Sequence, residues 1–205
     1  VTAEGEHAHA TATGRVEQLG ASGGPWVEFA TQVTTNSLSP FLKAYGLDFP
    51  YVGRASASAR VSGRPGDTHV TEIDLNINAD PLSLKATGTI GPLGKQAQFN
   101  LPFTASAADI AALAAPFGLK LPLSAKGEVN GALTGDPGTL ALTQLAGIWV
   151  NDLGRVSFDG AVESLTGPLR VDATVDVSID DIGAMGRLLE LPLDDYSAIG
   201  AKGSA

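Results

Sequence analysis

The sequence predicts a mostly β protein: a long, curled antiparallel β-sheet of repeats about 70 residues long, each carrying one short α-helix. Three observations predict it. Apolar and polar residues alternate with period two over many stretches, the mark of strands with one apolar and one wet face. The anchors Phe49-Pro50, Leu121-Pro122 and Leu191-Pro192 recur at nearly even spacing. A short helical pattern precedes each anchor, and a strand of small residues follows it.

The chain opens inside a repeat, residues 1–36. The next repeat, 37–105, starts with SLSPFLKAYGLDFP, where Ser39-Pro40 fits an N-cap followed by the first helical position. YVGRASASARVSG then supplies a strand. From Val70 to Ala79 the odd positions Thr71, Ile73, Leu75, Ile77 and Ala79 oppose Glu72, Asp74, Asn76 and Asn78. Leu82, Leu84, Ala86 and Ile90 oppose Ser83, Lys85, Thr87 and Thr89. Ala97, Phe99, Leu101 and Phe103 face away from Gln96, Gln98, Asn100 and Thr104.

The repeat 106–177 starts with SAADIAALAAPFGLKLP. Ser106 with Asp109 reads as a capping-box-like start and Gly118 as the stop. Its strands carry Val129, then Leu140 and Leu142, then Val156 and Phe158. From 168 to 179, Leu169, Val171, Ala173, Val175, Val177 and Ile179 oppose Arg170, Asp172, Thr174, Asp176 and Ser178. Residues 178–205 begin a further repeat, with Asp180 or Asp181 starting a helix that carries Ile182, Met185, Leu188 and Leu189. Gly63-Arg-Pro-Gly-Asp67, Gly91-Pro-Leu-Gly94, Gly135-Asp-Pro-Gly138 and Thr166-Gly-Pro-Leu169 supply turns. The unit is four strands and a short helix, and the chain reads as a window on a longer array.

An apolar sheet face must curl on itself, meet a second sheet or be covered by something else. Three short helices are too few to cover every strand. A ten-residue strand runs roughly 33 Å. The simplest resolution is a sheet curled into a long apolar trough, with Ala55, Ala57, Ala59, Gly127 and Gly131 leaving room inside it. A filled sandwich satisfies the same alternation.

The chain has 13 Lys plus Arg against 22 Asp plus Glu, a net charge of −9. That argues against nucleic acid, whose partners carry a basic patch. No apolar run approaches the roughly 20 residues of a membrane helix. There is no Cys, which excludes thiol catalysis, zinc–thiolate sites and disulfides, and suits an oxidising compartment such as a bacterial periplasm. Residue 1 is Val, so an N-terminal segment is expected to be missing, and any targeting signal with it.

Little points to catalysis. His7 and His9 share a strand face, as metal pairs do, but no third ligand is evident, and a solvated face is the plainer reading. His69 beside a turn reads as surface. Asp180-Asp181 reads as helix capping and Asp194-Asp195 as a turn or strand edge, with no convergent polar cluster beside either. No Gly-x-Ser-x-Gly elbow occurs, and Gly20-Ala-Ser-Gly-Gly24 lacks phosphate-loop spacing. Trp26 and Trp149 fall in strand-like runs, where core packing is expected ahead of lipid contact. The expectation is a non-enzyme without metal or cofactor.

Residues 108–145 (ADIAALAAPFGLKLPLSAKGEVNGALTGDPGTLALTQL) and 153–189 (LGRVSFDGAVESLTGPLRVDATVDVSIDDIGAMGRLL) resemble the AsmA-like family of bacterial envelope proteins, related to bridge-like lipid transfer proteins. The shared pattern is a short helix, Leu-Pro, a glycine-containing strand, Leu-x-Leu strands and a Pro-Leu turn. In repeated form it covers most of 37–205. The resemblance implies a taco-like β-groove in a periplasmic protein anchored to the inner membrane, conducting phospholipid between the two membranes. Lipid, the membrane and other envelope proteins are the partners it implies. The groove lining is then expected from Ile73, Leu75, Ile77, Leu82 and Leu84, with Phe99, Leu101, Phe103, Val129, Leu140 and Leu142. Val156, Phe158, Leu169, Val171, Val175 and Val177 complete it. The rival expectation is a non-catalytic β-repeat scaffold of the envelope, its interior filled with side chains.

Overall fold

The computed structural model describes residues 1–205 apart from 21, 45, 95–96, 122–123, 189–198 and 205. Among these residues twelve strands form one sheet in chain order, each antiparallel to the next. They are β1 (Thr2–Glu4), β2 (His9–Glu17), β3 (Trp26–Thr35), β4 (Gly53–Arg64), β5 (Asp67–Ala79) and β6 (Leu82–Gly91). Then come β7 (Gln98–Ala107), β8 (Lys126–Gly135), β9 (Ala141–Asn151), β10 (Gly154–Val162), β11 (Val171–Ile179) and β12 (Ile199–Ser204). β1 is a short fragment at one edge. The helices are α1 (Leu38–Lys43), α2 (Ile110–Ala114), continued by a 3₁₀ turn to Phe117, and α3 (Ile182–Leu188).

The expected strong curl is absent. The sheet is neither strongly curled nor closed, and β1 and β12 are its opposite edges. Eleven inter-strand steps of about 4.8 Å separate those edges by roughly 50 Å along the sheet. Closure needs a register that joins the edges, and none is present among the described residues. α1 and α2 also sit on the apolar face at one end, in the space a tight curl would enter.

The repeat is written in the backbone. The helices begin at Leu38, Ile110 and Ile182, at equal intervals, with four strands between successive helices. Hydrogen bonds recur with the same period. Leu93 N donates to Thr68 O, and Leu165 N to Leu140 O. Ala108 N donates to Pro81 O, and Asp180 N to Leu153 O. Leu47 N donates to Leu42 O, and Leu119 N to Ala114 O.

A bulge recurs as well. Ala59 of β4 stands opposite two residues of β5, Glu72 and Ile73, with Glu72 left-handed at φ 51°. At the same place one repeat later, Gly131 stands opposite Gln144 and Leu145, with Gln144 at φ 53°. The bulge corrects one expectation: Thr71 pairs with Arg60 on the polar face, and Val70 takes the apolar side by pairing with Val61. Gly63 (φ 137°) and Gly135 (φ 104°) open the two matching hairpins, in a conformation a β-carbon disfavours.

The helix starts shift slightly from expectation. α2 is capped by Asp109 itself, whose Oδ1 accepts from Ala111 N (2.8 Å) and Ala112 N (3.2 Å), while Ser106 belongs to β7. α1 begins early, at Leu38 after Ser37, so Pro40 falls third; its missing N–H is one a helix start leaves unpaired anyway. Asp181 Oδ1 accepts from Ala184 N at 2.7 Å at the start of α3. The Pro122 anchor, Leu191-Pro192, Asp194-Asp195, Gln96 and Leu189 lie outside the described residues.

Among the described residues no large side chain is completely buried. A compact cluster forms from Leu38, Tyr51 and Ala79, supported by Leu42, Phe49, Ala55, Ile77 and Leu113. The chain exposes 12858 Å². A compact monomer of 20.9 kDa exposes about 9000 Å². The excess is what a single layer costs: one sheet face has no second layer over most of its extent.

Candidate functional site

Directly paired residues on neighbouring antiparallel strands point to the same side. Following the register therefore maps each face. One row crosses nine strands: Thr35, Ala55, Ile77, Leu84, Ala105, Val129, Gly147, Phe158 and Val175. A second runs Ala10, Val33, Ala57, Leu75, Ala86, Phe103 and Gly131. The opposite face carries rows such as Ser56, Asn76, Lys85, Thr104 and Asn130. Alternation thus segregates an apolar face from a polar one across most of β2 to β11, with Ala146, Ile148 and Val150 of β9 as apolar residues on the polar side.

Of the expected lining residues, Ile73, Leu75, Ile77, Leu82, Leu84, Phe99, Leu101 and Phe103 share the apolar face. Val129, Leu142, Val156, Phe158, Val171, Val175 and Val177 share it too. Leu140 and Leu169 fall outside the strands, just ahead of β9 and β11, and Leu169 is 67% exposed. The strands start after their Gly-Pro turns, so the alternation does not extend back to those two. Most of the face is half-buried, and Val171 is exposed.

Gly127 and Gly131 play a different part from the one expected. A β-carbon at Gly127 would collide with Ile110 and Trp149; one at Gly131 would meet Leu145 and Phe103; one at Gly147 would meet Phe158. Their neighbours already occupy the space, so these glycines let bulky side chains lie flat on the sheet instead of hollowing a groove.

Between Ile110 at the start of α2 and strands β9 to β11 a cavity of about 310 Å³ opens. Ile110, Leu121, Trp149, Val156, Val177 and Ile179 form its apolar walls. Asn151, Arg155 and Ser178 also border it. Arg155 and Ser178 pair directly with each other, one step along from Val156 and Val177. Alternation therefore assigns both side chains to the polar face. The Asn151 Oδ1 accepts from Leu153 N (3.0 Å) and Gly154 N (3.1 Å), so it is engaged in the β9–β10 turn.

Trp149 rests against Phe158 with ring centroids 5.6 Å apart and is 43% exposed. Trp26 is 38% exposed and pairs with Glu17 on the polar face. Neither tryptophan is buried: Trp26 lies on the uncovered polar face, and Trp149 is covered only in part, by Phe158 and by the start of α2. Sequence reasoning did not place Ile110 and Leu121 at a site. Aligning the chain with itself at the repeat period sets Leu121 where Phe49 stands, and that loss of an aromatic ring is the signal that could have found the cavity.

The equivalent place beneath α1 is closed. Phe49 and Tyr51 meet edge to face at 5.2 Å, and the Tyr51 hydroxyl donates to the Leu113 carbonyl of α2. Burial pushes the Tyr51 phenol above its ordinary range.

The polar face carries an ion ladder on β2 to β5. Arg15 meets Glu17 (3.3 Å) and Glu28 (2.9 Å), and Arg60 meets Glu28 (2.9 Å) and Glu72 (3.1 Å). Hydrogen bonds from Arg60 and then Arg15 hold the Glu28 carboxyl below its usual range. The Ala112 N–H, with help from Ser124 and Ala111, does the same for Asp109.

His9 Nδ1 lies 3.7 Å from Glu4, and His69 Nε2 lies 3.0 Å from Asp67. Among the described residues no three His, Asp or Glu side chains gather as a metal site, and no helix is long and apolar enough to cross a membrane. No protein-family model, curated protein or solved structure matches this chain.

Proposed function

We propose that this chain is a lipid-carrying segment of an AsmA-like envelope protein, and that its apolar sheet face is the floor of a β-groove for phospholipid acyl chains. The observation that carries the reading is the apolar face itself, continuous from β2 to β11 and largely without a covering layer. Each CH₂ that an acyl chain buries there gains about 0.8 kcal/mol. The charged headgroup stays in water at the open side, so no deep pocket and no covalent step is needed. Contacts are shallow over most of the face, which keeps binding weak enough for a lipid to move on. The accompanying location is the periplasm, with anchorage to the inner membrane, and movement of lipid from strand to strand toward the outer membrane.

The test is native mass spectrometry with lipid extraction on the purified chain. Phospholipid is expected to co-purify with the wild type and to be lost when Leu75→Lys and Val175→Lys place charges in both rows. Far-UV circular dichroism checks that the doubly substituted chain keeps its sheet. A wild type that is stably folded and free of lipid overturns the reading and favours the envelope scaffold.

A further inference from the structure

We propose that the cavity beneath α2 is a fixed seat for one acyl tail of a phospholipid, and that it holds the tail without selecting the headgroup. This rests on the reading that the apolar face takes acyl chains. It adds a defined stopping point on that face and a specificity: the tail is read and the headgroup is not.

Four observations support it. At about 310 Å³ the cavity is at the small end of the roughly 300–1000 Å³ of small-molecule pockets, which favours one tail over two. Its walls are Ile110, Leu121, Trp149, Val156, Val177 and Ile179, all apolar. Arg155 is the charged residue among those that border the cavity, and its pairing with Ser178 assigns its side chain to the polar face, away from this opening. The fourth observation is internal. One repeat earlier, Leu38, Phe49 and Tyr51 fill the matching gap between helix and sheet. The fold therefore accepts apolar bulk at this place, and in the second repeat an acyl tail supplies what the side chains do not.

The chain has two tryptophans, so Trp26→Phe leaves Trp149 as the sole reporter. Dodecanoate and dodecanol, each brominated at its last carbon, are titrated into this variant and indole quenching is read. Saturable quenching is expected from both, with apparent affinities within about threefold of each other, a gap under 1 kcal/mol. Ala125→Phe and Val177→Phe, which fill the cavity from different walls, each abolish it in protein whose circular dichroism is unchanged. A short-chain diacyl phosphatidylglycerol without bromine, kept below its micelle concentration, is expected to displace the brominated probe and restore the fluorescence.

Quenching that survives both filling substitutions overturns the seat. Acid bound tenfold or more tightly than alcohol, or the reverse, overturns the indifference to headgroup. Failure of the diacyl lipid to displace the probe overturns the phospholipid assignment and gives the cavity to single-chain amphiphiles. If the cavity tests fail while wild-type protein still co-purifies phospholipid, the seat is wrong and the groove reading stands. If the wild type binds no amphiphile of any kind, both fall.

Discussion

The first whole repeat, α1 to β7, and the second, α2 to β11, share a backbone and differ in what fills the gap between helix and sheet. In the first, Leu38 is 2% exposed and Tyr51 is 6% exposed, and the tyrosine reaches across to the Leu113 carbonyl of the next helix. In the second, Leu121 is 44% exposed and a cavity remains. Yet the hydrogen bonds, the bulge and the hairpin glycines recur in both. Main-chain ladders and turns set the architecture, and they tolerate different side chains above them. One repeat can therefore be packed for stability while another keeps an opening.

The largest expected effect separates the two helices. Leu38→Ala removes the most buried side chain of α1 and should cost about 3 kcal/mol in urea unfolding. Ile110→Ala, at the equivalent position in α2, already borders empty space and should cost about 1 kcal/mol. Equal losses mean that the two gaps are packed alike and remove the comparison.

Next is the bridge between repeats. Tyr51→Phe keeps the ring and deletes the hydrogen bond to Leu113, for about 1 kcal/mol. The phenol's folded value is raised, so its contribution is complete below the unfolded value near 10 and declines as pH rises toward the folded one. Wild-type thermal midpoints should fall at alkaline pH more steeply than those of Tyr51→Phe. Parallel curves indicate that the hydroxyl is not held in solution.

Much of this architecture was legible in the chain. Period-two runs located the strands, and the recurring anchors located the helices, because both signals are local and repeated. Leu140 and Leu169 stand ahead of β9 and β11 and not within them, because alternation alone does not say where a proline turn releases the chain into pairing. Thr71 was misplaced because a left-handed Glu72 inserts one extra residue, and nothing about Glu announces φ 51°. The absence of curl was hidden for another reason: alternation reports which side is apolar and says nothing about how far a sheet bends. The cavity depends on Leu121 standing where the first repeat has Phe49, and the space this leaves shows only once helix and sheet are placed together.

Reversing that exchange gives a smaller effect. Leu121→Phe supplies the second repeat with the residue that Phe49 contributes to the first. It should fill part of the cavity and raise stability by about 0.5 kcal/mol. The same change should weaken quenching of Trp149 by brominated dodecanoate. Stabilisation with undiminished quenching means that the aromatic ring settles outside the cavity.

The smallest effect is on the polar side, where the two repeats also part. The ladder centred on Glu28 needs Arg60, and the second repeat has Ala132 at that place. The Glu28 carboxyl is held below its ordinary value of 4.5 by Arg60 and then Arg15. A depressed folded value means that the contribution is present above the unfolded value and is lost as pH falls through the folded one. Glu28→Gln should therefore flatten the acid limb of the thermal midpoint below about pH 4.5 and leave neutral pH almost unchanged. These side chains are solvent-facing, so added salt should shrink the difference between wild type and variant. A difference that persists at high salt assigns Glu28 a packing role under the Arg60 side chain and moves the ladder from surface electrostatics into the structure of the sheet.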